Sequence, residues 1–305
     1  MFKNFSPWLL GINGRQSELI ELALTYGFRG MDVDMADMLR RSQRTSLEDA
    51  TKYLRATDIK IGGFDLGVNL DADDDTFTAQ VATLHPMAEI AKELKVKRAY
   101  LRLPAATDRL PYPEYFETQR ARLNQIAEVL APLEIRLGVS FSAGKELAEG
   151  KEFEFVRDVE GFIALISSIP AANIGYIVDT FDWVVGKGTL AQLTGLDAEK
   201  IVAVRLGSVA SDATAETAKT TDRVLPEKEG ALAHVSVISH LKAAEYKGPV
   251  SPTASSSRYK GQTRENTVQK AQEAIDSISR DAGVHVAPLP MDLIEDVPYE
   301  PTPAT

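Results

Sequence analysis

One apolar stretch of the sequence ends abruptly in acidic side chains that could carry out chemistry. Residues 174–183 read IGYIVDTFDW, so a run rich in Ile and Val leads to Asp179, with Asp182 and Trp183 close behind. A short apolar run of this kind is typical of a strand buried in a parallel sheet. A carboxylate at the end of such a strand can transfer a proton, or it can join other oxygen ligands around a divalent cation. The neighbouring strand ends decide between these roles.

Polar side chains also follow the other predicted strands. Asp32 and Asp34 alternate with apolar residues in GMDVDM, and each can serve as a general base or cap the next turn. Arg205 can bind a ligand oxygen or phosphate, or it can pair with Asp179 and neutralise that charge. Trp183 can stack on a ligand ring or pack in the core. The residues predicted to be catalytic are Asp32, Asp179 and Arg205, and those predicted to bind substrate are Arg102, Ser140, Asp182, Trp183, Arg223, Thr253 and Arg258.

Histidine and cysteine are missing from these predicted strand ends. The chain has no cysteine, and His85, His234, His240 and His285 fall in or beside predicted helices or in the C-terminal tail. Catalytic zinc sites usually contain imidazole or thiolate ligands. An all-oxygen magnesium or manganese site could use Asp32 and Asp179, although two carboxylates are a small ligand set.

The elements that carry these residues alternate between strands and helices. Predicted strands span 7–13, 30–35, 59–70, 98–104, 135–142, 174–183, 201–207 and 250–254. Predicted helices span 17–27, 46–56, 74–95, 115–130, 159–168, 190–193, 235–246 and 264–280. Eight such units predict an α/β fold, a single-domain (β/α)8 TIM barrel with its site at the carboxyl ends of the strands. A doubly wound open sheet is the alternative, although GINGRQ after the first strand departs from GxGxxG.

Composition limits the partners and the compartment that we expect. The 305 residues carry a net charge of −10, which argues against general nucleic-acid binding. We recognise no signal peptide and no apolar run long enough for a membrane span, so we expect a cytoplasmic protein. The barrel domain is predicted to cover 1–283, followed by a proline-rich tail at 284–305. The polar stretch 208–230 is predicted to be a long loop, a kind that is usually functional or disordered.

The predicted strands resemble, in order and wording, the sugar-phosphate isomerase/epimerase family of the xylose isomerase-like TIM barrel superfamily. No single motif is specific, but their order and spacing together are, over roughly residues 8 to 280. The segments that carry the resemblance are GFRGMDVD (27–34), IRLGVSF (135–141), IGYIVDTFDW (174–183), IVAVRLGS (201–208), DRVLPEKEG (222–230) and YKGPVSPTA (246–254).

The resemblance implies a divalent metal, Mn, Mg or Zn, and this sequence departs from the residues that would bind it. In the family the fifth strand supplies a glutamate, the sixth Asp-x-x-His, the seventh His-x-x-Asp and the eighth a second glutamate. Asp179 is the only retained ligand, whereas the other positions hold Ser140, Asp182, Arg205, Ser208 and Thr253. A guanidinium stays charged and would repel a dication, so we predict that the metal is lost and that no cofactor is bound.

Two functions remain open after this comparison. The resemblance implies an isomerase or epimerase that moves a proton beside the carbonyl of a sugar or sugar phosphate. Asp32 matches the family's acid at the end of the second strand, and Arg223 matches its loop arginine. Arg205 or Arg102 would then stabilise the enediolate in place of the metal. The alternative is an inactive, metal-free relative that binds a sugar-like ligand or a protein partner. Homo-oligomerisation is open in both cases.

Overall fold

The core of the protein is a closed ring of parallel strands in a computed structural model that describes residues 1–290. The strands are β1 (Phe2–Phe5), β2 (Gly30–Met31), β3 (Lys60–Ile61 and then Phe64–Asp65), β4 (Arg98–Arg102), β5 (Arg136–Ser140), β6 (Ile174–Asp179), β7 (Ile201–Leu206) and β8 (Pro249–Pro252). Chain order is also the order around the ring, and β8 pairs with β1. The first segment of β3 pairs with β2 and the second with β4, which closes the barrel. The predicted TIM barrel is therefore confirmed.

Helices cover the outside of this ring, and their buried apolar side chains pack against the strands. They are α1 (Gln16–Thr25), α2 (Met35–Arg44), α3 (Leu47–Arg55), α4 (Asp74–Ala82), α5 (Leu84–Glu93), α6 (Tyr112–Leu130), α7 (Val159–Ser168), α8 (Thr180–Val185), α9 (Leu190–Thr194), α10 (His234–Ala243) and α11 (Arg264–Asp281). Side-chain caps fix several of their starts: Ser46 accepts from the Asp49 amide at 3.0 Å, and Asp158 accepts from the Gly161 amide at 2.7 Å. In residues 1–290 no helix is both long and apolar enough to cross a bilayer.

The first strand lies earlier in the chain than the apolar pattern predicts. β1 is Phe2–Phe5, whereas the predicted strand at 7–13 begins with a short 3₁₀ helix, Pro7–Leu10. Pro7 favours this start because its ring fixes φ and its missing N–H is not needed in a first turn. Gly11 ends the helix in a left-handed conformation, with φ of 67°. The prediction was wrong because periodicity alone does not distinguish a short apolar strand from a short helix.

The sixth strand is shorter than predicted, and this changes the position of two candidate site residues. β6 ends at Asp179, whose carboxylate accepts from the amides of Phe181 at 3.2 Å and Asp182 at 3.4 Å. These bonds cap helix α8, so Asp182 and Trp183 lie on a helix and not on the strand. Trp183 is fully buried, and its indole N–H donates to the Thr189 carbonyl at 3.0 Å.

Three further segments differ from their predicted form. Helix α2 is absent from the prediction because MADMLRRSQR is mostly polar, and only Met35 and Met38 of this helix are buried. The single helix predicted at 74–95 is two helices, α4 and α5. The predicted loop 208–230 contains a short antiparallel pair, Ser208–Val209 with Arg223–Val224. Of the predicted tail, 284–290 are described and 291–305 lie outside the described residues, so the domain boundary at 283 remains a prediction.

Gly62 lies between the two segments of β3, where the packed barrel interior leaves no room for a larger side chain. A Cβ added at Gly62 would lie 2.3 Å from Asn4 Oδ1 and 2.4 Å from Asp32 Oδ1. Both side chains are buried, with Asn4 at 0% and Asp32 at 3% exposure, and cannot move into solvent. Close packing of the interior therefore requires glycine here.

We expect Gly62→Ala to lower the free energy of unfolding by about 1–3 kcal/mol, because overpacking displaces buried groups. Urea unfolding of the two proteins measures this difference. Gly161→Ala is the matched control, since an added Cβ within α7 would lie 3.3 Å from its nearest neighbour. Alanine favours a helix, so we expect this control to keep or raise stability. Equal stability of Gly62→Ala and wild type would contradict the packing argument.

Candidate active site

Asp32 is a buried carboxyl group at the carboxyl end of β2. Its Oδ1 accepts from Asn4 Nδ2 at 2.9 Å, and the same amide nitrogen lies 2.9 Å from Ser251 Oγ. Burial raises the pKa of Asp32 to about 6, although the hydrogen bond from Asn4 and the charge of Arg205 act in the opposite direction. A carboxyl group that titrates close to neutral pH is suited to proton transfer.

A cavity of about 430 Å³ opens beside Asp32. Trp8, Asn13, Gln16 and Asp34 also line it. Trp8 is 39% exposed, which leaves part of its indole free to contact a ligand. Within residues 1–290, the buried Gln16 Oε1 has no hydrogen-bond partner. The cavity therefore places an aromatic surface and several polar side chains beside the buried Asp32, a lining that suits a small polar molecule.

Arg205 projects from β7 into the barrel and has no acidic partner among residues 1–290. Its side chain is buried, and its guanidinium carbon lies 5.5 Å from the centroid of the Tyr100 ring on β4. Since β4 and β7 face each other across the ring, this cation–π contact places Arg205 inside the barrel. Tyr100 is itself buried, and burial raises the pKa of its phenol well above the usual value.

Arg102 brings a second guanidinium to the same end of the barrel. It is the last residue of β4, and no carboxylate in the described range lies within salt-bridge distance of it. The side chain is accessible to solvent in the open mouth, yet the surrounding wall desolvates it enough to lower its pKa. The positive charge of Arg205 lowers this pKa further. Two guanidiniums that repel each other without an acidic partner form a site suited to an anion.

The acids at the end of β6 bind Arg223, and the expectation that Asp179 pairs with Arg205 is wrong. Arg223 Nη1 lies 2.5 Å from Asp179 Oδ2, and its Nη2 lies 2.7 Å from Asp182 Oδ2. Asp182 also accepts from the Ala143 amide at 2.9 Å. Arg205 and Asp179 are only backbone register partners on adjacent strands. Residues 208–230 deliver the competing arginine, which strand order alone does not reveal.

The other predicted site residues occupy different environments. Ser140 and Thr253 are buried strand-end hydroxyls that donate to the carbonyls of Leu101 at 3.4 Å and Leu9 at 3.2 Å. Trp183 lies in the core without a free ring face. Arg258 binds Asp212 at 2.9 Å and Asp222 at 2.5 Å, so it holds the 208–230 segment and does not face Asp32. The charge of Arg205 acts on both Asp32 and Arg102, so these three side chains share one end of the barrel, although neither arginine lines the cavity beside Asp32. Trp183 and Arg258 have other partners.

Sequence analysis missed two residues of the Asp32 cavity, Trp8 and Gln16. Trp8 was placed inside a predicted first strand, where its side chain would pack among neighbours. The proline before it was the available signal, because Pro7 at the start of a short helix turns the chain across the strand ends. A second cavity, of about 510 Å³, is lined by Lys145, Arg157 and Lys187 but by none of the predicted site residues. The cavity beside Asp32 is therefore the stronger candidate.

Comparison with known proteins agrees with this architecture. The sequence profile of the xylose isomerase-like TIM barrel family matches residues 20–280. The chain belongs to the xylose isomerase-like TIM barrel family. No curated protein sequence matches it.

Solved structures of this family superpose on nearly the whole chain. A xylose isomerase domain protein from Alicyclobacillus acidocaldarius has a TM-score of 0.81 at 22% identity, covering 93% of this chain and 99% of its own. IOLI protein, solved with a bound zinc atom, has a TM-score of 0.76 at 19% identity, with coverages of 92% and 99%. D-psicose 3-epimerase from Clostridium cellulolyticum H10, solved with D-tagatose, has a TM-score of 0.68 at 12% identity, with coverages of 92% and 99%. At these identities the superpositions establish the fold.

The strand-end residues of this family member do not fit a divalent metal. Two carboxylates, Asp179 and Asp182, converge at the end of β6, and Arg223 already binds both. Within residues 1–290 no group of three or more His, Asp or Glu side chains is placed to hold a metal ion. Hard divalent cations require several oxygen ligands and a local excess of negative charge. With one arginine bound to both acids and Arg205 beside them, that excess is missing.

Proposed function

We propose that this xylose isomerase-like protein is a metal-independent sugar isomerase or epimerase whose substrate carries a phosphate or carboxylate. The observation that carries the proposal is the pair of guanidiniums, Arg102 and Arg205, at the mouth, neither of which has a salt-bridge partner among residues 1–290. A chain of net charge −10 has acids in excess, so unpaired cations at one place favour an anionic ligand. The mouth also contains Asp32, a carboxyl group whose pKa lies near 6.

In this proposal Asp32 is the base, because its raised pKa suits it to proton transfer near neutral pH. Its carboxylate removes the proton from the carbon beside the substrate carbonyl, and the electron pair of that C–H bond forms an enediolate. Arg205 stabilises the enediolate oxygen by a charge-assisted hydrogen bond. Return of the same proton to the neighbouring carbon, with transfer of the adjacent hydroxyl proton to the enediolate oxygen, completes an isomerisation. An epimerisation instead takes a proton from solvent on the opposite face of the same carbon, and Asp32 releases the abstracted proton to solvent. Because only ionised Asp32 is a base, we expect turnover to rise with pH around 6.

Ligand binding tests the anion site directly. We expect isothermal titration with a panel of sugar phosphates, sugar acids and neutral sugars to detect binding only of the anionic compounds. Arg205→Met should weaken the best ligand by roughly 10- to 100-fold, because it removes a charge-assisted hydrogen bond in a desolvated site. Arg29→Met is the matched control. It changes the net charge by the same amount as Arg205→Met, but at an exposed position before β2, at the opposite end of the barrel. Equal losses in the two variants, or equal binding of neutral sugars, would refute the anion site.

A second candidate function is an inactive relative that only binds its ligand. Asp179 and Asp182 are both paired with Arg223, so the enzyme function depends on Asp32 as the base. The protein is the inactive relative if Asp32 does not remove a proton from the bound ligand. The incorporation of deuterium from solvent beside the ligand carbonyl, followed by NMR, separates the two functions. Incorporation in wild type that Asp32→Asn abolishes supports the enzyme. Tight binding without any incorporation supports the inactive relative.

A further inference from the structure

Positive side chains gather at the amino end of the barrel, opposite the mouth. Lys60, Arg98 and Arg136 are the first residues of β3, β4 and β5. Arg98 and Arg136 are register partners on adjacent strands, so their side chains leave the sheet on the same face. None of the three has a carboxylate within salt-bridge distance among residues 1–290. This local excess of positive charge is the reverse of the chain's overall balance of −10.

The ring of Phe2, the first residue of β1, brings two of these cations close together. A Cβ added at Gly30 would lie 2.3 Å from Phe2 Cε2, so the ring packs directly against β2. Lys60 Nζ lies 5.4 Å from the centroid of this ring, and the guanidinium carbon of Arg98 lies 6.0 Å from it. Cation–π contacts therefore place both charges beside one aromatic ring, although the charges repel each other.

Arg98 has an unsatisfied hydrogen-bond donor in this arrangement. Its Nε is buried and has no hydrogen-bond partner within residues 1–290. The neighbouring Arg136 donates to the carbonyls of Glu199 and Ile201, and not to an acid. Burial lowers the pKa of Arg136, and the charge of Arg98 lowers it further. A buried donor without a partner and two adjacent guanidiniums both cost free energy, and a bound anion would reduce both costs.

A cavity of about 680 Å³ opens beside Arg98 and Lys60. Four cations and two acids line it, and Arg55 and Glu93, 2.7 Å apart, neutralise each other. Three cations then remain with a single acid, the exposed Asp58. Leu, Ile and Phe side chains form much of the remaining wall, and the volume exceeds what one phosphate ion needs. The lining therefore suits a small anion that also has an organic part.

We propose that Arg98, Lys60 and the cavity beside them bind a phosphorylated small molecule at the amino end of the barrel. The Arg98 Nε–H and the Lys60 ammonium donate to its phosphate oxygens, and Arg136 adds attraction from the adjacent strand. Active sites of TIM barrels lie at the opposite end, so this site is separate from the mouth. The proposal therefore does not depend on the proposed reaction. Bound phosphate stabilises the folded barrel, because it binds the cluster only when the strands have assembled.

The test is calorimetric titration of the full chain with inorganic pyrophosphate and with ADP, in the presence of EDTA. Arg205→Met protein is used, because anion binding at the mouth is weakened in it. We expect one pyrophosphate per chain, and a melting temperature raised by roughly 2–4 °C when free ligand is in tenfold excess over its Kd. Equal affinities for the two ligands identify the phosphate groups as the recognised part, and tighter binding of ADP identifies an organic phosphate. Both results support the site.

Adding Arg98→Met to this protein should weaken pyrophosphate binding by roughly 10- to 100-fold, because it removes a charge-assisted hydrogen bond. Adding Lys270→Met is the matched control, since it removes one positive charge from an exposed position on α11 and should leave the affinity unchanged. Lys60→Met, also at an exposed position, should weaken binding by roughly 2- to 5-fold. It decides the test if Arg98→Met does not fold.

Three results would overturn the proposal. The first is no binding of pyrophosphate to the full chain. The second is an affinity in Arg98→Met, or in Lys60→Met if that variant decides, equal to the affinity in Lys270→Met. The third is binding that appears only after residues 291–305 are removed. That stretch contains Asp292, Glu295, Asp296 and Glu300, so this result would identify the chain's own acids as the competing anion.

Discussion

Replacing Arg223 with methionine is expected to lower the free energy of unfolding by about 3–5 kcal/mol in the absence of divalent cations. Methionine preserves most of the apolar volume against Phe181 but removes the charge that Asp179 and Asp182 share. The two carboxylates then stay buried without a cation, and their mutual repulsion adds to the cost of desolvation. Chemical denaturation in the presence of EDTA measures the difference.

Arg258→Met is the matched control for this prediction. Arg258 also binds two acids, Asp212 and Asp222, but its side chain is 28% exposed and Asp212 is 66% exposed. Water replaces the lost partner there, so we expect a much smaller loss than for Arg223. Similar losses in the two variants would show that burial of the Arg223 site contributes little.

Replacing Asp32 with asparagine is expected to change how stability depends on pH. Folding raises the pKa of Asp32 from its usual 3.8 to about 6, with burial as the main cause. Between these values the folded protein holds more protons than the unfolded chain, so the stability of wild type falls as pH rises. The accumulated loss is about 3 kcal/mol and is complete above roughly pH 7. Asparagine does not titrate and avoids this loss.

We therefore expect the stability of Asp32→Asn relative to wild type to rise by about 2.4 kcal/mol between pH 4 and pH 7, because the first part of the loss already occurs below pH 4. Urea unfolding at several pH values measures this relative change, which is insensitive to any constant offset from the substitution. Ser251→Ala disturbs the same buried hydrogen-bond cluster without removing the titrating group, so it should keep the pH dependence of wild type. A constant difference between Asp32→Asn and wild type over this range would contradict the raised pKa.

Buried carboxyl groups at the carboxyl end of the barrel are stabilised in two different ways. At the end of β6, Arg223 neutralises two acids, and that arrangement stabilises the fold. At the end of β2, the neutral Asn4 amide donates to Asp32, and no residue of the described range 1–290 forms an ion pair with it, so its ionisation above pH 6 costs stability. Natural proteins tolerate such a cost mainly at functional sites. The difference supports Asp32, and not Asp179, as the base in the proposed reaction.

The alternation of apolar runs and amphipathic segments was enough to predict the barrel. Strands buried on both faces must be nearly continuous in Val, Ile and Leu, and β6 and β7 have that composition. Since the carboxyl ends of parallel strands meet at one end of a barrel, Asp32, Arg102 and Arg205 could be assigned to one mouth before any coordinates. The segment boundaries were less certain where the apolar pattern is short, as at Pro7–Leu10, or where the segment is mostly polar, as in α2.

Tertiary structure alone decided which charges pair. Sequence could place Asp179 and Arg205 on adjacent strands and Arg223 near the mouth, but it could not show that Arg223, and not Arg205, pairs with Asp179, because that pairing depends on packing between distant segments. The residues alone gave Asp32 and Asp34 the same two roles, and only the family resemblance favoured Asp32. Burial raises the pKa of Asp32, whereas Asp34 is exposed and accepts from the Asp37 amide as the cap of α2. The residue types determined which acids and bases the protein could use. Burial and pairing in the tertiary structure determined which of these side chains can act.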